Sequence, residues 1–66
     1  MTTPTIQEQL AAARREVAMR RRVYPRWVES GRMSQHTADH EMACMVAIVE
    51  TLRGLVPPEP KQGDLL

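Results

Sequence analysis

The chain has 66 residues, a net charge of +1, one cysteine and only two aromatic side chains. A chain this short forms one domain at most and buries about 60% of its unfolded surface, so its core is marginal unless a metal, a disulfide or another subunit adds to it. The single cysteine excludes an internal disulfide framework and suits a reducing compartment. No basic start followed by an apolar stretch opens the sequence, and the run Met42–Val49 is far shorter than the roughly 20 residues that cross a bilayer. We therefore expect a cytoplasmic protein that makes no membrane contact.

The N-terminal half predicts one amphipathic helix. Thr5, followed three residues later by Glu8, forms a capping-box pattern. From there apolar residues recur every three or four positions and occupy a stripe about 60° wide on a helix. The stripe consists of Ile6, Leu10, Ala13, Val17 and Tyr24, with Arg20 at one step. Glu16 precedes Arg20 by four residues, the favourable order for a helical ion pair. We expect this helix to run from about residue 5 to residue 22 or 23.

Pro25 predicts a corner after that helix. It disfavours helical geometry at Tyr24 and cannot donate a hydrogen bond to the preceding turn. Either a kink or a short second segment that begins at Pro25 satisfies this constraint. We expect Tyr24 to face the interior, because it continues the apolar stripe. We expect Trp27 to close the open end of the core against the start of the next helix, near Met33 and Ala38.

The C-terminal half predicts a second helix, from about Gln35 to Leu55. Gly31 is a natural stop for the preceding segment, and Ser34 is a good N-cap for the new one. A heptad-like stripe then contains Ala38, Met42, Met45, Val49, Leu52 and Val56, flanked by Cys44, Ile48 and Leu55 on one side and by Val46 on the other. These residues cover an arc of roughly 200°, about twice that of an ordinary surface helix. Residues 1–56 thus form a helical hairpin, and the Pro-rich residues 57–66 are predicted to be a flexible tail.

The surplus apolar surface of the second helix predicts self-association. The narrow stripe of the first helix cannot cover the broad arc of the second. We therefore expect an all-α fold, a helical hairpin with a proline corner that dimerises into a four-helix bundle. A monomer in which the corner segment folds over the surplus is the alternative. The predicted dimer interface consists of Met42, Met45, Ile48, Val49, Leu52 and Leu55.

Positive charge is concentrated between Arg14 and Arg32, where seven arginines and two glutamates give a local balance of +5. Three roles remain open for this region: a solvated or intramolecular role at a helix end, a protein interface, or nucleic-acid binding. The arginines are spread around the helix, which is poor geometry for contacts with bases in a DNA groove. The candidate partner-binding residues are Arg20, Arg21, Arg22, Arg26, Trp27 and Arg32.

The sequence gives little support for a catalytic site, a cofactor site or a metal site. No nucleophile is accompanied by a base and an orienting acid, and no glycine-rich phosphate loop exists. His36, His40 and Cys44 share one helix edge, but no further Cys or His completes a zinc site. We expect Cys44 to be a small packing residue. The sequence therefore predicts no enzyme, no cofactor and no bound metal.

The segment RRVYPRWVESGRMSQ, with ADHEMACMVAIVETLR shortly after it, resembles small proteins carried by bacteriophages and prophages. The resemblance covers residues 17–53. Its most recognisable elements are Tyr24-Pro25, Trp27-Val28, Gly31-Arg32-Met33 and the heptad after Ala38. It implies an accessory protein that binds a host or phage protein such as a transcriptional regulator. The architecture is similar to that of phage quorum-sensing anti-activators, which implies a dimer and an inhibitory role in host takeover. A small nucleic-acid-binding regulator that uses the Arg14–Arg32 region is the alternative.

Overall fold

The computed structural model describes residues 2–58, which contain two α-helices, α1 (Ile6–Glu29) and α2 (Gln35–Leu55). Residues 30–34 reverse the chain, so that the two helices pack side by side as an antiparallel hairpin. No strand occurs in this range. The prediction of an all-α helical hairpin is confirmed. Of the predicted tail, residues 59–66 lie outside the described residues.

The capping box begins α1 where the sequence predicts it. The Thr5 hydroxyl accepts a hydrogen bond from the backbone N–H of Glu8, and the Glu8 carboxylate accepts one from the backbone N–H of Thr5, both at 3.0 Å. These two bonds satisfy N–H groups that have no partner inside the helix. The bond from the Thr5 backbone lowers the pKa of Glu8, because it favours the charged carboxylate. The cap therefore weakens only as the pH falls below the ordinary range of a glutamate.

The predicted corner at Pro25 is wrong: α1 continues through the proline to Glu29. A proline inside a helix removes one backbone hydrogen bond and costs about 3 kcal/mol. Full burial of a large apolar side chain contributes roughly 1.5–3 kcal/mol. The extra turn keeps Tyr24 buried and holds Trp27 and Val28 half-buried, so packing offsets the local penalty.

The reversal occurs instead at residues 30–34, immediately after the extended helix. Gly31 adopts a φ of +80°, a left-handed conformation that glycine reaches without strain. The carbonyl of Trp27 accepts hydrogen bonds from the backbone N–H groups of Arg32 and Met33, at 2.9 and 3.2 Å. Ser34 then caps α2 by accepting a bond from the N–H of Thr37 at 3.0 Å. The predicted stop at Gly31, the N-cap at Ser34 and the bounds of α2 are confirmed.

The core between the helices is small. The buried side chains of the described range are Leu10, Ala13, Val17, Tyr24 and Ala38, four of them from α1. None of these side chains is removed completely from solvent. The α2 stripe that follows Ala38 is only half-buried, from Met42 to Val56. A two-helix layer thus leaves much of its own apolar surface in contact with water.

Candidate functional site

Four of the predicted partner-binding arginines project from the last turns of α1 and from the reversal. Arg21, Arg22, Arg26 and Arg32 are exposed. Within residues 2–58 none of the four forms an ion pair with a carboxylate. Successive residues are 100° apart on a helix, so Arg22 and Arg26 point away from α2 while Arg21 lies beside the helix contact. The cluster is therefore a free cationic surface that covers more than one face.

Arg20 differs from the other arginines because it joins the two helices. Its Nε donates to Oε1 of Glu16 at 2.8 Å, and its Nη1 donates to the backbone carbonyl of Glu41 in α2 at 3.0 Å. The Glu41 carboxylate lies 3.9 Å from the same nitrogen. The hydrogen bond to Glu16 raises the pKa of Arg20, so this group stays charged. The predicted Glu16–Arg20 pair is confirmed, and the Arg20 side chain, only 20% exposed, is committed to the hairpin itself.

The two aromatic rings lie together at the end of α1. The ring centroids of Tyr24 and Trp27 are 5.6 Å apart with an interplanar angle of 35°. The guanidinium carbon of Arg20 lies 5.6 Å from the Tyr24 ring centroid, within cation–π range. Tyr24 is buried, as predicted from the stripe, whereas Trp27 is half-buried on the last turns of α1. Trp27 thus packs beside Tyr24 at this end of the core while part of its ring remains accessible, about 100° around α1 from Arg26.

The six predicted dimer-interface residues do not share one free surface. Met42, Met45, Val49 and Leu52 are half-buried on the side of α2 that meets α1. Ile48 and Leu55 are exposed, by 46% and 57%. Val46, which lies 160–180° around α2 from these two, is also exposed. Uncovered apolar surface therefore remains on both sides of the hairpin.

One side of the hairpin is concave. Two adjoining depressions of about 270 and 320 Å³ follow the seam between the helices and share Arg21. We call this side the groove face. Its lining includes Arg14, Val17, Ala18, Arg21, Pro25 and Val28 from α1, and Gln35, Asp39, Met42, Val46, Val49 and Glu50 from α2. Sequence reasoning missed the α1 half of this face, although Arg14, Ala18, Arg21, Pro25 and Val28 follow a heptad spacing.

The histidine–cysteine edge of α2 holds a single contact. Cys44 Sγ lies 3.6 Å from His40 Nε2, and both residues are exposed. Residues 2–58 contain no group of three or more potential metal ligands. Cys44 was predicted to pack, but α1 does not reach this side of α2, and the thiol remains on the surface.

No helix in the described range is long and apolar enough to span a membrane. No protein-family model, curated protein or solved structure gives a significant match to this chain.

Proposed function

We propose that this chain is a non-enzymatic accessory protein that binds and modulates another protein, a host or phage regulator, in the cytoplasm of a bacterial host. The observation that carries the proposal is the free cationic surface at the C-terminal end of α1, where Trp27 is half-buried. Arg22, Arg26 and Arg32 are exposed and lack carboxylate partners within the described range. Arginine and tryptophan are the residue types most enriched among the energetically dominant residues of protein interfaces. An acidic protein surface with an apolar pocket for the tryptophan fits this arrangement.

We also propose that the active form is a homodimer in which two hairpins make a four-helix bundle. Its support is the incomplete core: no side chain of residues 2–58 is fully buried, and large apolar residues of α2 remain exposed. A chain of this size gains most from a core shared with a second copy. The bacteriophage origin is supported by the resemblance of residues 17–53 to small phage proteins. No cofactor or metal is required for such a role.

Nucleic-acid binding is the second candidate function, because a row of three arginines along α1 favours it. Arg15, Arg22 and Arg26 lie on the outer side of α1, about 10 and 6 Å apart along the helix axis. Glu16, between Arg15 and Arg22 in the sequence, lies about 100° around the helix from Arg15 and pairs with Arg20. A phosphate backbone is able to follow such a row of arginines. Arg14 and Arg21 point toward the groove face, however, so these two arginines would not contact a duplex laid along the outer side of α1.

A pull-down that compares variants separates these functions. We expect the native chain to retain a defined protein from nuclease-treated bacterial lysate at about 0.15 M salt, and we expect the variant Arg22→Ser/Arg26→Ser/Arg32→Ser to lose it. Arg53→Ser is the matched control, because it removes an exposed arginine that belongs to α2. Random duplex DNA in a gel shift should show no binding at this salt concentration. Tight duplex binding that falls steeply with salt and disappears in the triple variant would assign the arginines to nucleic acid instead.

A further inference from the structure

The groove face has an apolar floor between two charged rims. Val17, Met42 and Val49 line its floor, and Val46 is 38% exposed there. The α1 rim carries Arg14 and Arg21. Neither arginine forms an ion pair within residues 2–58. The α1 rim is therefore basic, with its charge unused by the hairpin.

The α2 rim carries negative charge at the same positions along the hairpin where the α1 rim carries positive charge. Glu50 lines the same depression as Arg14, and Asp39 lines the same depression as Arg21. Asp39 accepts a hydrogen bond from Gln35 at 2.8 Å, and Glu50 pairs with Arg53 at 2.7 Å. Both contacts lie on the surface, and an exposed pair such as Glu50–Arg53 contributes less than about 1 kcal/mol. The two carboxylates are thus available to a stronger partner that also excludes water.

Two copies of the hairpin have two ways to place their groove faces together about a two-fold axis in the interface plane while all four helices stay parallel or antiparallel. An axis across the helices sets α1 against the partner's α1, so that the arginines of both copies face one another. An axis along the helices sets α1 against the partner's α2. It leaves the position of each residue along the helix axis unchanged. Arg14 then faces the partner's Glu50, and Arg21 faces the partner's Asp39. Only the second arrangement brings opposite charges together.

We infer that a second copy of this chain occupies the groove face, with α1 of each copy packed on α2 of the other about an axis parallel to the helices. This inference rests on the homodimer proposed above and names its surface. Met42, Val46 and Val49 lie inside the interface. Ile48 and Leu55, on the other side of α2, lie outside it. The outer arginines of α1 stay exposed on both copies, so the dimer displays two equivalent partner-binding surfaces.

A charge-exchange experiment tests the assignment. The first variant is Arg14→Glu/Arg21→Glu, which gives each copy two acidic rims. The second is Asp39→Lys/Glu50→Lys, which gives each copy two basic rims. We expect each variant alone to raise the dimer Kd at least about tenfold. We expect an equimolar mixture to form a heterodimer as tight as the native dimer, because in the mixed pair each α1 rim again meets an α2 rim of opposite charge.

The mixture distinguishes contacts between copies from contacts within one copy, since repulsion inside a single hairpin is not relieved by mixing. Sedimentation equilibrium measures the affinity, and circular dichroism confirms the helix content. If a double variant loses its helices, Arg21→Glu and Asp39→Lys repeat the test with one charge reversal each. Native-like dimers of both separate variants, or no rescue on mixing, would overturn the groove-face assignment. If Ile48→Glu and Leu55→Glu abolish a dimer that tolerates the charge reversals, the homodimer stands but uses the opposite side.

Discussion

Replacement of Tyr24 by alanine should destabilise the hairpin by about 3–5 kcal/mol, the usual range for deletion of a buried aromatic ring. Tyr24 is the largest of the buried residues, and it contacts both the Trp27 ring and the Arg20 guanidinium. A chain of this length has a total stability of roughly 3–10 kcal/mol. Urea denaturation followed by circular dichroism should therefore show a variant that is largely unfolded or has a much lower midpoint.

Tyr24→Phe is the matched control for this deletion. It keeps the ring and removes only the hydroxyl, which makes no hydrogen bond within the described range. We expect the urea midpoint of Tyr24→Phe to stay close to that of the native chain. An equal and small loss for both variants would mean that the Tyr24 ring does not hold the two helices together.

Replacement of Arg20 by methionine should cost about 1.5–3 kcal/mol, the range for a hydrogen bond that involves a charged group. The variant retains an apolar stem of similar length but cannot donate to the Glu41 carbonyl or to Glu16. Because the side chain is partly exposed, we expect the loss to fall in the lower half of that range. The measurement is again the free energy of unfolding in urea.

Arg22→Met is the control for Arg20, because Arg22 is exposed two residues later on the same helix and has no carboxylate partner in residues 2–58. Its replacement should change the stability by less than about 0.5 kcal/mol. Arg20→Lys should lie between the two, since one ammonium group cannot serve both acceptors with the geometry of a guanidinium. Equal stabilities for the Arg20 and Arg22 variants would contradict the role of Arg20 in joining the helices.

The helix ends were predictable because their signals are local. Thr5 with Glu8 begins α1, Gly31 follows its end and starts the reversal of the chain, and Ser34 begins α2. Each of these devices acts through backbone groups only a few residues away. The buried position of Tyr24 was predictable for a related reason, since the 3.6-residue period alone places it on the stripe.

The path through Pro25 was not predictable from local rules. The energetic cost of the proline arises at a single position in the helix. The packing that offsets this cost involves Tyr24, Trp27 and Val28, and it depends on a helix elsewhere in the chain. The bond from Arg20 to α2 was not predictable for the same reason. Its main acceptor outside α1 is a backbone carbonyl of Glu41, and no side-chain pattern reveals that partner.

The residue types of the candidate surfaces were predictable from the sequence, but the arrangement of those residues in space was not. The apolar excess of α2 is evident in the sequence, yet its division into a groove side and an opposite side depends on where α1 lies. Ile48 and Val46 are only two residues apart and end on different sides of the hairpin. The basic and acidic rims of the groove face likewise arise only when the two helices are set antiparallel.

The central claim is that two hairpins share one core, and sedimentation equilibrium of the native chain tests it most directly. We expect a mass of twice the 7.5 kDa chain across the micromolar range, with dissociation only on dilution. A single species at the mass of one chain at every concentration, with fully native helix content, would contradict the claim.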